Sequence, residues 1–219
     1  MALDLCLISF ILMKKINLFG IGGHYNVIKE IAIYNGYETI NLYDDNIDKF
    51  KDLIDFKGNI QQMILDSQQD NDIDNFVCIG NNSIRKQIIN KIENNSLKLT
   101  KLIHPQSLIA KNVKIDNGTV IMRGVNINSL VKIGKGCIIN TGSNIDHESN
   151  INDFTHICPG STIAGNVEIG QGTFVGSGSI IINSINIGSE VKIAAGSVIY
   201  KNVGDNEKVY PSSKMIIKN

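Results

Sequence analysis

Residues 140–170 read NTGSNIDHESNINDFTHICPGSTIAGNVEIG, and isoleucine stands in them at 145, 151, 157, 163 and 169. Working outward, isoleucine recurs at 109, 115, 121, 127, 133 and 139 before this stretch, and Val175 then Ile181, Ile187, Ile193 and Ile199 follow it. A run this long at a fixed period of six marks a parallel β-helix built from hexapeptides. The residue two before each anchor is small or β-branched, as at Thr119, Val125, Val131, Ser143, Ser149, Thr155, Ser161, Val167, Thr173, Ser179 and Ser197. Two inward columns of that kind make one prism wall. Three hexapeptides close a coil, so residues eighteen apart stack one strand spacing apart, about 4.8 Å, and about five coils are expected. Glycines just after an anchor (Gly134, Gly170, Gly176, Gly188) are expected to turn the corners, and Met122 and Ile182 to force local departures there.

The first half reads differently. Lys15–Phe19 has the pattern of a buried strand, Gly20–Gly23 of a tight turn, and His24–Asn35 of a helix with Val27, Ile28, Ile31 and Ala32 on one side. Gly36 stops that helix. A second strand over Thr39–Tyr43 ends in Asp44-Asp45, a third covers Phe76–Ile79, a helix follows over Ser83–Asn94, and the unit closes near Leu99–Ile103. The fold class expected is α/β: a Rossmann-like βαβ domain over residues 13–104, then the β-helix over residues 105–219. The third glycine of a dinucleotide fingerprint is missing, since Tyr25 holds its place, which argues against NAD; a nucleotide sugar in the same crevice fits better, the alternative being that Gly20, Gly22 and Gly23 merely make the turn.

Composition narrows the functional classes. Lys plus Arg and Asp plus Glu each number 21, so there is no global basic field to gather nucleic acid. Cys6, Cys78, Cys137 and Cys158 are widely spaced, without metal or disulfide patterning, and fit a reducing, cytoplasmic setting. The apolar opening MALDLCLISFIL is too short to span a bilayer and lacks the flanks of a signal peptide, so residues 1–12 read as an upstream extension with no stable membrane insertion.

Of four histidines, His147 is placed for chemistry, inside Asp146-His147-Glu148 just past anchor Ile145. A histidine at neutral pH takes a proton from an attacking amine, and an adjoining carboxylate fixes its tautomer. Eighteen residues on, Gly165 stacks on it and offers a bare N–H as an oxyanion donor. His156 lies half a coil from His147, so the two share a site only between subunits. Ser177 and Ala195, also eighteen apart, line a smooth wall near the His156 side. Cys158 is explained by packing rather than by an acyl-enzyme, and His104, before Pro105, reads as a capping or hinge residue. His24, opening the first helix, contacts a phosphate or faces water. A catalytically silent scaffold or a metal site built from these histidines is the reading from another class.

The stretches FGIGGH (19–24), Tyr43-Asp44-Asp45, IGNNSIRKQI (79–88), LIHPQSLIA (102–110), residues 140–170 and VYPSSKMI (209–216) together resemble the PglD and NeuD type of bacterial sugar acetyltransferases, with the GNN-x-IRK segment nearest the PglD branch. The resemblance implies a left-handed β-helix, a homotrimer with clefts between prisms, acetyl-CoA as co-substrate without metal, and N-acetylation of the 4-amino group of a UDP- or GDP-linked amino sugar. O-acetylation of a sialic-type acid is the NeuD alternative. It further implies that His147 is the general base and Glu148 the acid that heightens its basicity. His156, Gly165, Ser177 and Ala195 match acetyl-CoA contacts, and Gly22, Gly23, His24, Asp44 and Asp45 match segments that hold the nucleotide sugar. Gly22, Tyr25, Ser177, Ala195 and Pro211-Ser212-Ser213 depart from the usual pattern.

Overall fold

The computed structural model describes residues 13–211, so the expected extension over residues 1–12 lies outside the described residues. The first unit runs β1 (Lys14–Phe19), α1 (Tyr25–Tyr34), β2 (Tyr37–Tyr43), α2 (Ile47–Phe50), β3 (Phe56–Gly58), α3 (Ile60–Gln69), β4 (Asp74–Val77) and α4 (Asn82–Asn94). Its four strands are all parallel and ordered β3-β2-β1-β4. Phe19 stands opposite both Tyr43 and Val77, so the loops that follow β1, β2 and β4 leave from one edge. That edge is where a doubly wound sheet opens its crevice.

The sequence reading missed β3 and α3, although Ile60, Met63, Ile64 and Ser67 are buried at helical spacing. It also placed β4 two residues late. Asp74 and Asn75 look like turn residues, but both are buried: Asp74 accepts the Tyr37 hydroxyl at 2.5 Å, and Asn75 joins a polar ladder with Asn17 and Ser67.

From Leu102 the chain winds through eighteen two-residue strands, β5 (Leu102–Ile103) to β22 (Lys208–Val209), on three faces of seven, six and five strands. This is the left-handed parallel β-helix. The chain visits the seven-stranded first face, the six-stranded second and the five-stranded third in turn, and anchors eighteen apart pair directly, as Ile139 with Ile157. The helix has about six coils rather than five, because Leu102–Ile103 pairs with Val120–Ile121 and opens the prism instead of closing the first domain. The last coil is two residues shorter, Lys192 pairing with Lys208.

From Thr119 onward the small residues of the second column are buried, and the hydroxyl-bearing ones use their polarity. The hydroxyls of Ser149, Thr155, Ser161, Thr173 and Ser179 each donate to a carbonyl of the next coil. Each is thereby a satisfied polar group in an apolar shaft.

The corners correct the expectation about glycine. The left-handed residue is the third after the anchor, with φ between 66° and 70° at Gly124, Gly142, Gly160 and Gly196. Glycines directly after an anchor do another job: a Cβ on Gly176 would stand 2.5 Å from the Ala195 nitrogen, so they permit close stacking of coils. Met122 and Ile182 do not distort their corners either. Met122 is buried in the core shared with the first unit, and Ile182 points to the surface.

The outer side of the first face is covered by that unit. Leu102, Val120 and Ile138 share a buried cluster with Ile28, Ile31 and Phe76, while Phe154 packs with Ile88, Ile89 and Ile92.

Candidate active site

His147 stands at the corner between the second and third faces, more than half exposed. The Asn166 N–H donates to its backbone carbonyl, which holds the next coil against it. Its Nδ1 lies 3.0 Å from Glu148 Oε2. In the neutral ring the proton then sits on Nδ1 and donates to the carboxylate, leaving Nε2 as an exposed acceptor. Glu148 reaches this position from a left-handed backbone, φ +60°. Asp146 serves the turn: its Oδ1 accepts the His147 N–H and the Asn128 amide, whose hydrogen bond chiefly holds the Asp146 carboxyl below its usual range.

Gly165 lies under the ring, as the coil arithmetic predicts. A Cβ there would come within 2.7 Å of His147 Cε1 and Nε2, so only glycine admits the imidazole. Among the described residues its N–H makes no hydrogen bond. Ser177 and Ala195 stack at the corner between the first and second faces, where the Gly196 N–H donates to the Ser177 carbonyl. Both are exposed.

His156 sits on the first face, buried between the two units. Its ring meets His24 at 5.7 Å and Phe174 at 5.2 Å between centroids, both edge-on. The Asn140 Oδ1 accepts the Thr141 N–H, which turns its Nδ2 toward His156 Nε2 at 3.1 Å. His156 Nε2 is therefore the acceptor and Nδ1 carries the proton, buried and without a hydrogen-bond partner among the described residues. Burial, then the positive Arg85 and then His24, push the His156 pKa down to about 3. Within one prism the His147 corner lies across from the first face that carries His156, so the two histidines point to opposite sides, as expected.

Two cavities flank His24. One, about 300 Å³, is lined by Gly20, Gly22, Gly23, Asp44, Asp45 and Gly80 at the open edge of the sheet. The other, about 480 Å³, lies between the units and is lined by His156, Phe174, Asn81, Ser83, Glu190 and Lys192. His24 thus neither faces open water nor belongs to the first pocket alone; burial, followed by Arg85, lowers its pKa. Asp44 and Asp45 shape their pocket. Asp44 accepts the Ile21 and Asn46 N–H groups, and Asp45 accepts that of Ile60 at the start of α3. His104, expected as a capping or hinge residue, holds the turn that follows it: its Nδ1 accepts the Gln106 N–H.

Sequence reasoning gave no role to Asn140, Phe174 or Arg85. Arg85 lay inside the quoted IGNNSIRKQI segment, but an arginine on a helix reads as a solvated charge until its burial is known.

Residues 15–92 match the PglD N-terminal domain family. UDP-N-acetylbacillosamine N-acetyltransferase of Bacillus subtilis (strain 168) is 32% identical over 112 residues, 50% of this chain and 52% of that protein, so the chain spans about half the length of this curated relative. The acetyltransferase domain of PglB from Neisseria gonorrhoeae FA1090 superposes with a TM-score of 0.83 at 30% identity, over 89% of this chain and 95% of that one. PerB from Caulobacter crescentus, in complex with CoA and GDP-perosamine, superposes with a TM-score of 0.80 at 29% identity, over 87% and 91%.

Proposed function

The chain belongs to the PglD type of hexapeptide-repeat sugar acetyltransferases, and from that membership we propose that it transfers acetyl from acetyl-CoA to the 4-amino group of a nucleotide-linked amino sugar. One observation carries the assignment of the reacting group. His147 holds its Nδ1 against Glu148, keeps Nε2 open, and rests on a glycine whose N–H is unspent.

The chemistry follows from those atoms. The sugar amine attacks the thioester carbonyl, a C–N bond forms, the C–S bond breaks and CoA leaves as its thiol. His147 Nε2 takes the proton the amine must lose, Glu148 steadies the imidazolium that results, and that proton then passes to the departing CoA sulfur, which returns the imidazole to its neutral form. The Gly165 N–H donates to the oxygen that gains charge, a contribution of about 3 kcal/mol where the geometry matches. No metal enters this scheme.

The nucleotide part of the substrate fits the pocket of Gly22, Gly23, Asp44 and Asp45, with His24 between it and the interdomain cavity. The acetyl donor fits the prism surface bearing Gly165, Ser177 and Ala195, with His156 at its edge. Because the His147 corner and the face bearing His156 lie on opposite sides of one prism, we assign the site to a homotrimer, the His147 corner of one subunit facing the interdomain cavity of the next. The relatives support both a UDP- and a GDP-linked acceptor, since bacillosamine and perosamine are named among them. Three buried free cysteines, Cys78, Cys137 and Cys158, suit the reducing interior of a cell. Among the described residues no helix is long and apolar enough to cross a membrane.

His147→Ala tests the assignment. The expected loss is roughly 10²–10⁴-fold in kcat with assembly intact; turnover within a factor of two of the native enzyme would remove His147 from the reaction.

A further inference from the structure

Arg85 is the largest fully buried side chain in the described residues, only 1% exposed. It sits on the first turns of α4, and all its hydrogen bonds go to neutral oxygens drawn from both units. Its Nε donates to the Gly136 carbonyl at 2.6 Å and its Nη2 to that of Phe154 at 2.9 Å, residues stacked in successive coils at one corner of the prism. Its Nη1 donates to the Ile79 and Gly80 carbonyls at 3.1 and 3.0 Å, in the loop leaving β4. Nη2 also reaches the Asn82 side chain, which passes the contact on to the Gly172 carbonyl, one coil further along the same corner.

The corner geometry makes this possible. Gly136, Phe154 and Gly172 all have left-handed backbones, φ 64°, 59° and 71°, and their carbonyls meet one edge of α4. On the other side of the guanidinium, Gly80 is pressed against the His24 ring, where a Cβ would stand 2.7 Å from Cδ2. The chain of contact therefore runs from three successive coils at one prism corner through Arg85 to Gly80, then His24, then His156.

We infer that Arg85 is a positioning residue for the acetyl transfer, a clamp whose planar fork fixes the nucleotide-sugar pocket of the first unit against the prism face that carries His156. This rests on the function proposed above. A buried guanidinium without a carboxylate partner is a costly way to make mere cohesion, whereas a fork of five N–H donors suits several carbonyls at once and lysine does not replace it. Its unneutralised charge also bears on His24 and His156. His24 is faced by Arg85 and His156, by Asp44 and Asp45 across the glycine pocket, and by Glu190 and Lys192 across the interdomain cavity. His156 has the same Arg85, His24, Glu190 and Lys192 around it.

The test compares Arg85→Lys and Arg85→Met with the native trimer. Each substrate site lies on one side of the clamp, so Kd for the nucleotide sugar alone and for acetyl-CoA alone should stay within about threefold. The kcat should fall roughly 10–100-fold, since about 1 Å of misplacement costs that much. Titration of the His24 and His156 C2 protons by NMR needs no turnover: both should titrate at higher pH in Arg85→Met, and less so in Arg85→Lys. Asn82→Ala, which removes one link and keeps the guanidinium, should lower kcat in the same direction by less, and it decides the matter if the Arg85 variants fail to fold. A lowered Tm with kcat within twofold of native in every folded variant, or histidine titrations unmoved in Arg85→Met, overturns the positioning role. A native enzyme that turns over no amino sugar, with the histidine shifts still present, refutes the proposed function and leaves the clamp standing.

Discussion

His147 and Gly165 are stacked eighteen residues apart, so close that a Cβ on the glycine would meet the imidazole at 2.7 Å. Gly165 has an ordinary backbone rather than a left-handed one, so alanine is conformationally acceptable there. Gly165→Ala should therefore fold and assemble normally yet lose roughly 100-fold in kcat, because the ring is pushed off its place beside the N–H proposed as the oxyanion donor. A change in Tm under about 3 °C, alongside that loss, separates the two effects.

Glu148 divides stability from catalysis in another way. Its φ of +60° is strained for a residue with a Cβ. Glu148→Gly relieves strain of about 1–2 kcal/mol against the ~1 kcal/mol that glycine adds to the entropy of the unfolded chain. Thermal unfolding should thus be unchanged or slightly later, while kcat drops about 10-fold or more as the Nδ1 partner is lost. Glu148→Gln, which still accepts from Nδ1 but carries no charge, should fall between.

The sequence made the prism legible in detail because isoleucine, with valine once at 175, returns every six residues to fill a narrow shaft. The stacking of Gly165 on His147 came from the same arithmetic. What escaped was non-periodic. Arg85 and Asn140 acquire their roles from carbonyls and a ring that lie 51 and 16 residues away. Helix α3 had a readable pattern, but Asp74 and Asn75, buried and hydrogen-bonded inside a strand, hid where the sheet resumed. The glycines after the anchors were seen for their freedom, when what matters there is their lack of a side chain.

A site shared between subunits predicts complementation. His147→Ala and His156→Ala should each be inactive alone. Unfolded together in equal amounts and refolded, they should recover about a quarter of native activity, the fraction of sites in a randomly mixed closed ring that draw an intact residue from each neighbour. No recovery from mixed trimers of verified composition places both histidines in one chain's site.

Buried neutral His156 makes folding acid-sensitive. Its folded pKa of about 3 lies below the ordinary 6.5, so the unfolded chain binds the proton first as the pH falls. That increment of stability is intact above pH 6.5 and is lost progressively between about pH 6.5 and pH 3. His156→Gln, which keeps a partner for Asn140, should flatten the dependence of urea midpoint on pH across this window relative to the native chain.

The most direct test of acetyl transfer is release of free CoA thiol when the protein meets acetyl-CoA with UDP- and GDP-linked 4-amino sugars, beside free sialic acids. Rapid release with one nucleotide-linked amino sugar, abolished in His147→Ala, is the predicted result. Release only with a sialic acid would move the enzyme to hydroxyl acceptors, and no release with any acceptor would contradict the account.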